Sequence, residues 1–270
     1  MRHFSSPRVP LLLAASLLAL AAPLTAGQAG RPSNPCDTVG RNDRPTHCEV
    51  RELTIPAPDM LTVDATPNGG IAVHGWNRRE VQVQAKVVVT ADTEEQARNL
   101  AAQVQVVTDA GRISARGPRT ADGTGWSVGF DVMVPNEGSL DLRSTNGGVS
   151  IENVQGRLTF RTTNGGVRLK NVNGDVRGET VNGGLRVELE GPGWYGEGLD
   201  VETKNGGVRL VVPDGYSARL EAGTNSGGMS VDFPVTVQGQ FRRTLTTDLG
   251  SGGSPIRLRT VNGGVSISRK

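Results

Sequence analysis

Apolar and polar residues alternate with a period of two through most of this chain. In "VQVQAKVVV", Val81, Val83, Ala85, Val87 and Val89 share one face, and Gln82, Gln84 and Lys86 share the other. "LTVDA" sets Leu61, Val63 and Ala65 to one side, and "WSVGFDVMVP" does the same for Val128, Phe130, Val132 and Val134. Such alternation predicts strands with one buried face. One segment departs from it. "TADTEEQARNLAAQVQVV" offers Asp92 or Thr93 as an N-cap, acids in the first turn, and helix formers to about Ala102. It predicts a single short helix near 93–103.

A repeat is laid over this alternation. The triplet Asn-Gly-Gly starts at Asn68, Asn146, Asn164, Asn182, Asn205 and Asn262, and Ser226-Gly227-Gly228 and Ser251-Gly252-Gly253 read as degenerate copies. Each triplet is followed by an apolar-x-apolar pair, such as Val167/Leu169 and Leu185/Val187. A second turn comes half a unit later, as "VQG" at 154–156 and "VNG" at 172–174. A Thr or Ser stands two residues before the Asn: Ser144, Thr162, Thr180, Thr203, Thr260. Asn and Gly tolerate φ > 0, so the triplets read as tight turns. Asn-Gly is also a hairpin signal, and an antiparallel meander competes with stacked coils. A meander gives no reason for one residue type to recur at one place in every unit, whereas a solenoid stacks equivalent residues in columns. Glu152, Lys170 and Glu188 would then alternate in sign along a column, while Arg168, Arg186 and Arg209 would stack with like sign. The expected fold is all-β: a parallel β-solenoid with one short helical insertion.

Charge and cysteines narrow the class. The chain carries 29 basic and 27 acidic residues. Residues 1–29 contain Arg2, Arg8 and the apolar run "VPLLLAASLLALAAPL" followed by small residues, which reads as a secretory signal peptide. Without that leader, whose two Arg are its only charges, basic and acidic residues balance, so charge favours neither nucleic acid nor an anionic membrane as partner. No later segment is apolar enough for a transmembrane span. In an exported chain Cys36 and Cys48 pair most simply with each other, closing a loop in a 30–50 segment ahead of the first strand. His47 with two cysteines falls short of a tetrahedral metal set. Residues 51–270 are expected to form one domain.

Several motifs, in order, resemble a family. These are "NGGIAVHGW", "EEQARNLAAQV", "DVMVPNEGSLDLRSTNGGVSI", the "T-x-N-G-G-V" units, "LVVPDGYSARLEAG" and "IRLRTVNGGVSI". Together, from about Leu61 to Lys270, they are similar to the bacterial putative-adhesin family of exported NGG-repeat proteins. The resemblance implies a parallel β-solenoid at the cell envelope or outside it, periplasmic, surface-bound or secreted. It brings no catalytic residues. Ser226, Ser251 and the Cys36/Cys48 pair depart from the common pattern.

Chemistry was sought in the remaining residues. His47 and His74 are the only histidines outside the leader, and they assemble no Ser-His-Asp set. A calcium roll needs a third Gly and a recurrent Asp that "NGGVRLKN" lacks. Neither metal nor cofactor is expected. Glu152, Asp175, Glu188 and Glu202 read as solvated surface acids, but a pair of them would serve a polysaccharide lyase or hydrolase on a β-helix, which is the competing reading. The Thr and Asn columns read as structural ladders. The tryptophans Trp76, Trp126 and Trp194, with Tyr195 in the insertion "GPGWYGEG", lie in or beside Gly-rich connections. Exposed aromatics on a rigid scaffold can stack on a glycan or anchor a protein, and they are the candidate partner-binding residues. The expected function is a non-enzymatic, adhesin-like scaffold. Self-association through "GVSIS", a last strand expected to leave an open coil, is a third reading, with Arg269 and Lys270 placed against it.

Overall fold

The computed structural model describes residues 35–38, 44–120, 123–234 and 243–270. The leader expected at 1–29 lies outside the described residues, as does much of the 30–50 segment. Strands dominate, joined by one α-helix and a short 3₁₀ turn at Pro35–Thr38. Along the chain the strands are β1 (Thr46–Pro56), β2 (Met60–Asp64), β3 (Ile71–Trp76), β4 (Glu80–Thr90), β5 (Gln105–Asp109), β6 (Arg112–Arg116), β7 (Gly125–Pro135), β8 (Ser139–Asn146), β9 (Val149–Glu152) and β10 (Gln155–Asn164). They continue as β11 (Val167–Lys170), β12 (Asn173–Asn182), β13 (Leu185–Glu188), β14 (Gly198–Asn205), β15 (Val208–Val212), β16 (Ala218–Ser226), β17 (Met229–Val231), β18 (Thr244–Leu249), β19 (Pro255–Asn262) and β20 (Val265–Arg269). Two ten-stranded sheets result, one in the order β1-β4-β7-β3-β9-β11-β13-β15-β20-β17, the other β18-β16-β19-β14-β12-β10-β8-β2-β6-β5. Most pairings are parallel; β1–β4, β4–β7, β5–β6 and β16–β18 are antiparallel.

A strand of each sheet forms one layer: β2/β3, β8/β9, β10/β11, β12/β13, β14/β15, β19/β20, β16/β17. Register is kept from layer to layer, so Val149, Val167, Leu185, Val208 and Val265 fall in one inward column. Leu140, Leu158, Val176, Leu199 and Ile256 form a facing column, and all of these are buried. Burying each such side chain contributes about 1.5–3 kcal/mol. Gly178 stands in this core opposite Phe160, whose ring occupies the space its side chain would need: a Cβ there would lie 2.4 Å from the ring.

The helix, α1, spans Glu94–Ala101, inside the expected 93–103. Thr93 is its N-cap, its hydroxyl accepting from the Gln96 N–H at 3.1 Å. Ala97 and Ala101 are its buried positions, and Arg51 of β1 donates to the carbonyls of Ala101 and Val104 beyond its last turn. Cys36 and Cys48 are disulfide-bonded, with Cα atoms 5.7 Å apart. Because β1 begins at Thr46, Cys48 lies within the first strand and not in a loop ahead of it.

Three expectations need correction. The layers do not follow chain order: β19/β20 lies between β14/β15 and β16/β17, two layers made earlier in the chain. "GVSIS" is therefore paired on both sides and leaves no open coil. Arg269 and Lys270 bind Asp214 and Glu190 instead of guarding an edge. Second, Ser251-Gly252-Gly253 is the turn between antiparallel β18 and parallel β19, where Gly250 and Gly252 take φ of 54° and 77°. It is not a corner of a layer, whereas Ser226-Gly227-Gly228 is, stacked on Asn262.

The third correction concerns why the triplets recur. The first glycine of each Asn-Gly-Gly triplet from Gly147 onward avoids the left-handed region. A Cβ on Gly147, Gly165, Gly183 or Gly206 would instead stand 2.1–2.2 Å from a glycine carbonyl oxygen of the adjacent layer. Close approach demands the glycine. It brings two ladders into range. Ser144, Thr162, Thr180, Thr203, Thr260 and Thr224 each donate a buried hydroxyl at 2.7–2.8 Å to such a carbonyl one layer away. The bonds cross between layers and make the Thr column a ladder. Asn146, Asn164, Asn182, Asn205 and Asn262 each donate at 2.8–2.9 Å to the Oδ1 of the Asn before them, starting from Asn68.

Candidate functional site

Each layer has two corners. At the triplet corner each interior amide of the ladder both donates and accepts within the column. The second corner, where the chain passes from the first sheet to the second, is different. It is built rung on rung: the N–H of Asn136 donates to Trp76 O at 3.1 Å, that of Gln155 to Asn136 O at 2.8 Å, and that of Asn173 to Val154 O at 3.4 Å. The N–H of Gly174 then reaches Tyr195 O at 2.8 Å. A cleft of about 520 Å³ runs along these rungs, lined by Trp76, Asn77, Asn136, Asn153, Gln155, Asn171 and Asn173 with Gly75 and Val154. No lining residue carries a formal charge.

Backbone geometry explains part of this composition. Asn153 and Asn171 sit at φ 59° and 49°, a conformation Asn tolerates better than most residues, and Asn171 donates to Asn153 at 2.8 Å. Asn77, Asn136 and Asn173 do not have positive φ. The Asn173 side chain accepts from the Tyr195 N–H at 3.2 Å and so places that ring. Gly75 makes room: a Cβ on it would lie 2.6 Å from Asn136 Oδ1. Gln155 donates to Glu137 at 2.8 Å.

The four aromatic candidates are scattered. Trp76 lines the cleft, its indole donating to Glu80 O at 2.9 Å with the Arg78 guanidinium stacked 4.6 Å from the ring centre. Trp126 is half-buried on β7, packed over Gly117 and bonded to Pro118 O at 3.0 Å, away from the cleft. Trp194 is only 6% exposed; its indole donates to Gly174 O at 3.1 Å and its rings belong to the core. Tyr195, beside it, is 62% exposed and stands at the far end of the cleft's rungs. The structure thus joins Trp76 and Tyr195 through a row of amides and separates Trp126 and Trp194 from them. The amides were missed among the sequence candidates, although "VQG" and "VNG" mark two of the rungs. The other two come from Asn77 and Asn136, distant in sequence from those motifs.

The acids take no part. Glu152 binds Lys170 at 2.5 Å and lies 3.6 Å from His74; Glu188 receives Arg186 at 2.6 Å and Arg168 at 3.0 Å. That second pairing offsets the like-signed arginine column. Asp175 binds Arg177 at 2.9 Å, and Glu202 lies 3.5 Å from Arg259. Hydrogen bonds from Lys170 and Arg186 hold the Glu152 and Glu188 carboxyls below the ordinary 4.5, the opposite of what a general acid needs. Among the described residues no group of three or more His, Cys, Asp and Glu could hold a metal. Among them, too, no helix is long and apolar enough to cross a membrane.

The family model described as Toastrack DUF4097 matches residues 59–268. A comparison with curated proteins finds no match. Among solved structures, a "putative cell adhesion protein" from Clostridium sporogenes ATCC 15579 is 10% identical with a TM-score of 0.43, over 82% of this chain and 100% of that one. A "putative adhesin" from Bacteroides fragilis NCTC 9343 is 11% identical with a TM-score of 0.36, over 83% and 97%. A "putative lipid binding protein" from Parabacteroides distasonis ATCC 8503 is 14% identical with a TM-score of 0.28, over 83% and 97%. Likenesses at these values carry no argument about this chain's partner.

Proposed function

The chain belongs to the Toastrack DUF4097 family, and from that premise we propose that it is a non-enzymatic β-solenoid scaffold, exported to the envelope or beyond, that holds a partner along its side. The solenoid reading is supported by the one-layer advance from β8 to β15, in unbroken register. Export is supported by the apolar leader and by the Cys36–Cys48 bond. The observation that carries the partner-binding reading is the contrast between the two corners. One engages its amides in a continuous ladder from Asn68 to Asn262, and the other presents Asn77 and Asn136, whose side chains have no hydrogen-bond partner among the described residues, beside Trp76. A non-enzymatic role is favoured over a polysaccharide lyase or hydrolase because the four acids lie against bases, and the Glu152 and Glu188 carboxyls are held below their ordinary value.

The test is a pull-down of the signal-free protein against fractionated envelope of its native host. Capture of an envelope component by the wild type, reduced in Tyr195→Ala, is the expected outcome. A wild type that captures nothing from the envelope or the medium would remove the scaffold reading.

A further inference from the structure

The second-corner cleft can be assigned a ligand class by its chemistry. Lys and Arg are absent from its lining, and the guanidinium beside it, that of Arg78, is stacked on Trp76 and lies 3.5 Å from Glu80, so a phosphate or carboxylate finds no free counter-charge. The backbone groups along it are used rung to rung, so an extended peptide finds no free strand edge to extend. Its polar row is unsuited to a lipid tail. What it does offer is neutral amides, each able to donate and accept, with the Trp76 ring in its wall and the exposed Tyr195 one rung beyond Asn173. Alternating donors and acceptors match vicinal hydroxyls, and aromatic rings match the C–H faces of a pyranose.

Asn77 and Asn136 stand out in the lining, because neither has the positive φ of Asn153 and Asn171 and neither side chain has a hydrogen-bond partner among the described residues. From Trp76 to Tyr195 the corner climbs four rungs, about 19 Å at the spacing of neighbouring strands. That length exceeds one sugar ring. We propose that this cleft binds a short neutral oligosaccharide lying across the rungs, with Trp76 and Tyr195 as its two stacking ends. This rests on the scaffold reading above and names its ligand.

Calorimetric titration tests it, using trimers and hexamers of β-1,4-glucose, β-1,4-N-acetylglucosamine, α-1,4-glucose and β-1,4-mannose, with oligogalacturonate as the charged control. One neutral series is expected to bind, the hexamer at least as tightly as the trimer, and oligogalacturonate more weakly. Tyr195→Ala and Asn77→Ala, both at exposed positions, should each weaken binding about tenfold, the size of one lost hydrogen bond or ring contact. Thr159→Ala, on the outer face of the second sheet, should leave it unchanged. Binding that both cleft variants leave intact would place the sugar elsewhere and overturn the proposal. So would a preference for oligogalacturonate. Failure of every series, with an envelope component still captured in the pull-down, would overturn the glycan and spare the scaffold. Failure of both would overturn both.

Discussion

Gly165 and Gly166 are adjacent and do different work. A Cβ on Gly165 would stand 2.2 Å from Gly147 O, while one on Gly166 would meet nothing nearer than Gly184 O at 3.5 Å. Gly165→Ala is therefore expected to cost about 1–3 kcal/mol through forced separation of two layers, and Gly166→Ala less than about 0.5 kcal/mol. Urea midpoints of the two variants check this; equal losses would mean that close approach is not what the triplet protects. The Thr two residues before each Asn has a comparable duty. Thr180→Val keeps the shape but strands Gly165 O without its hydroxyl partner, at a cost of about 1–3 kcal/mol in the same measurement. Sequence reasoning found these positions and gave the wrong cause for the glycines. It assigned them to left-handed backbone, which is instead found at Asn153 and Asn171 on the other corner. A local preference can be read from a dipeptide, but proximity to a neighbouring layer cannot.

Among the elements, β9, β11 and β13 carry the outward charge column. Glu152 and Glu188 have lowered pKa values, so their contribution to stability is present above about pH 4.5 and is lost as pH falls through their folded values. Solvent screening keeps each below about 1 kcal/mol. Unfolding midpoints measured from pH 6 to pH 3 should decline at the acid end, and the decline should be shallower in the double variant Glu152→Gln, Glu188→Gln. An unchanged slope would assign acid sensitivity to other carboxyls. The strands and α1 were legible because period two and a capped helix leave local marks. The cleft was half legible: Trp76, Tyr195 and the Asn-containing rungs at 153–155 and 171–173 have local signatures. Asn77 and Asn136 do not, since only the pairing of β3 with β7 brings them there. The burial of Trp194 was hidden as well, because an insertion's length gives no sign of which aromatic folds inward.

For the whole molecule, the order of layers follows from which residue ends the Asn ladder. Ser226 has no amide to pass on, and its layer is the outermost of the seven, with Asn262 between it and Asn205. The interruption first read as a degenerate copy marks the end of a column, and every triplet with Asn can occupy the interior. Removing residues 255–270 would strip the partners from β14 and β16 together. The truncated protein is expected to lose cooperative unfolding and to bind a dye for exposed apolar surface. Retention of a sharp transition by circular dichroism would show that β16 can close directly on β14.

That inserted layer also sets a schedule. Ribosomes deliver β14 and β16 before β19, the strand that must separate them. Each waits with one unsatisfied row of backbone groups until Asn262 has been made. Direct closure of β16 onto β14 in the interval would be a misfold that has to be undone. Synthesis of β19 becomes a condition for hiding both edges, so a fragment that stops short of it is expected to stay open to proteases.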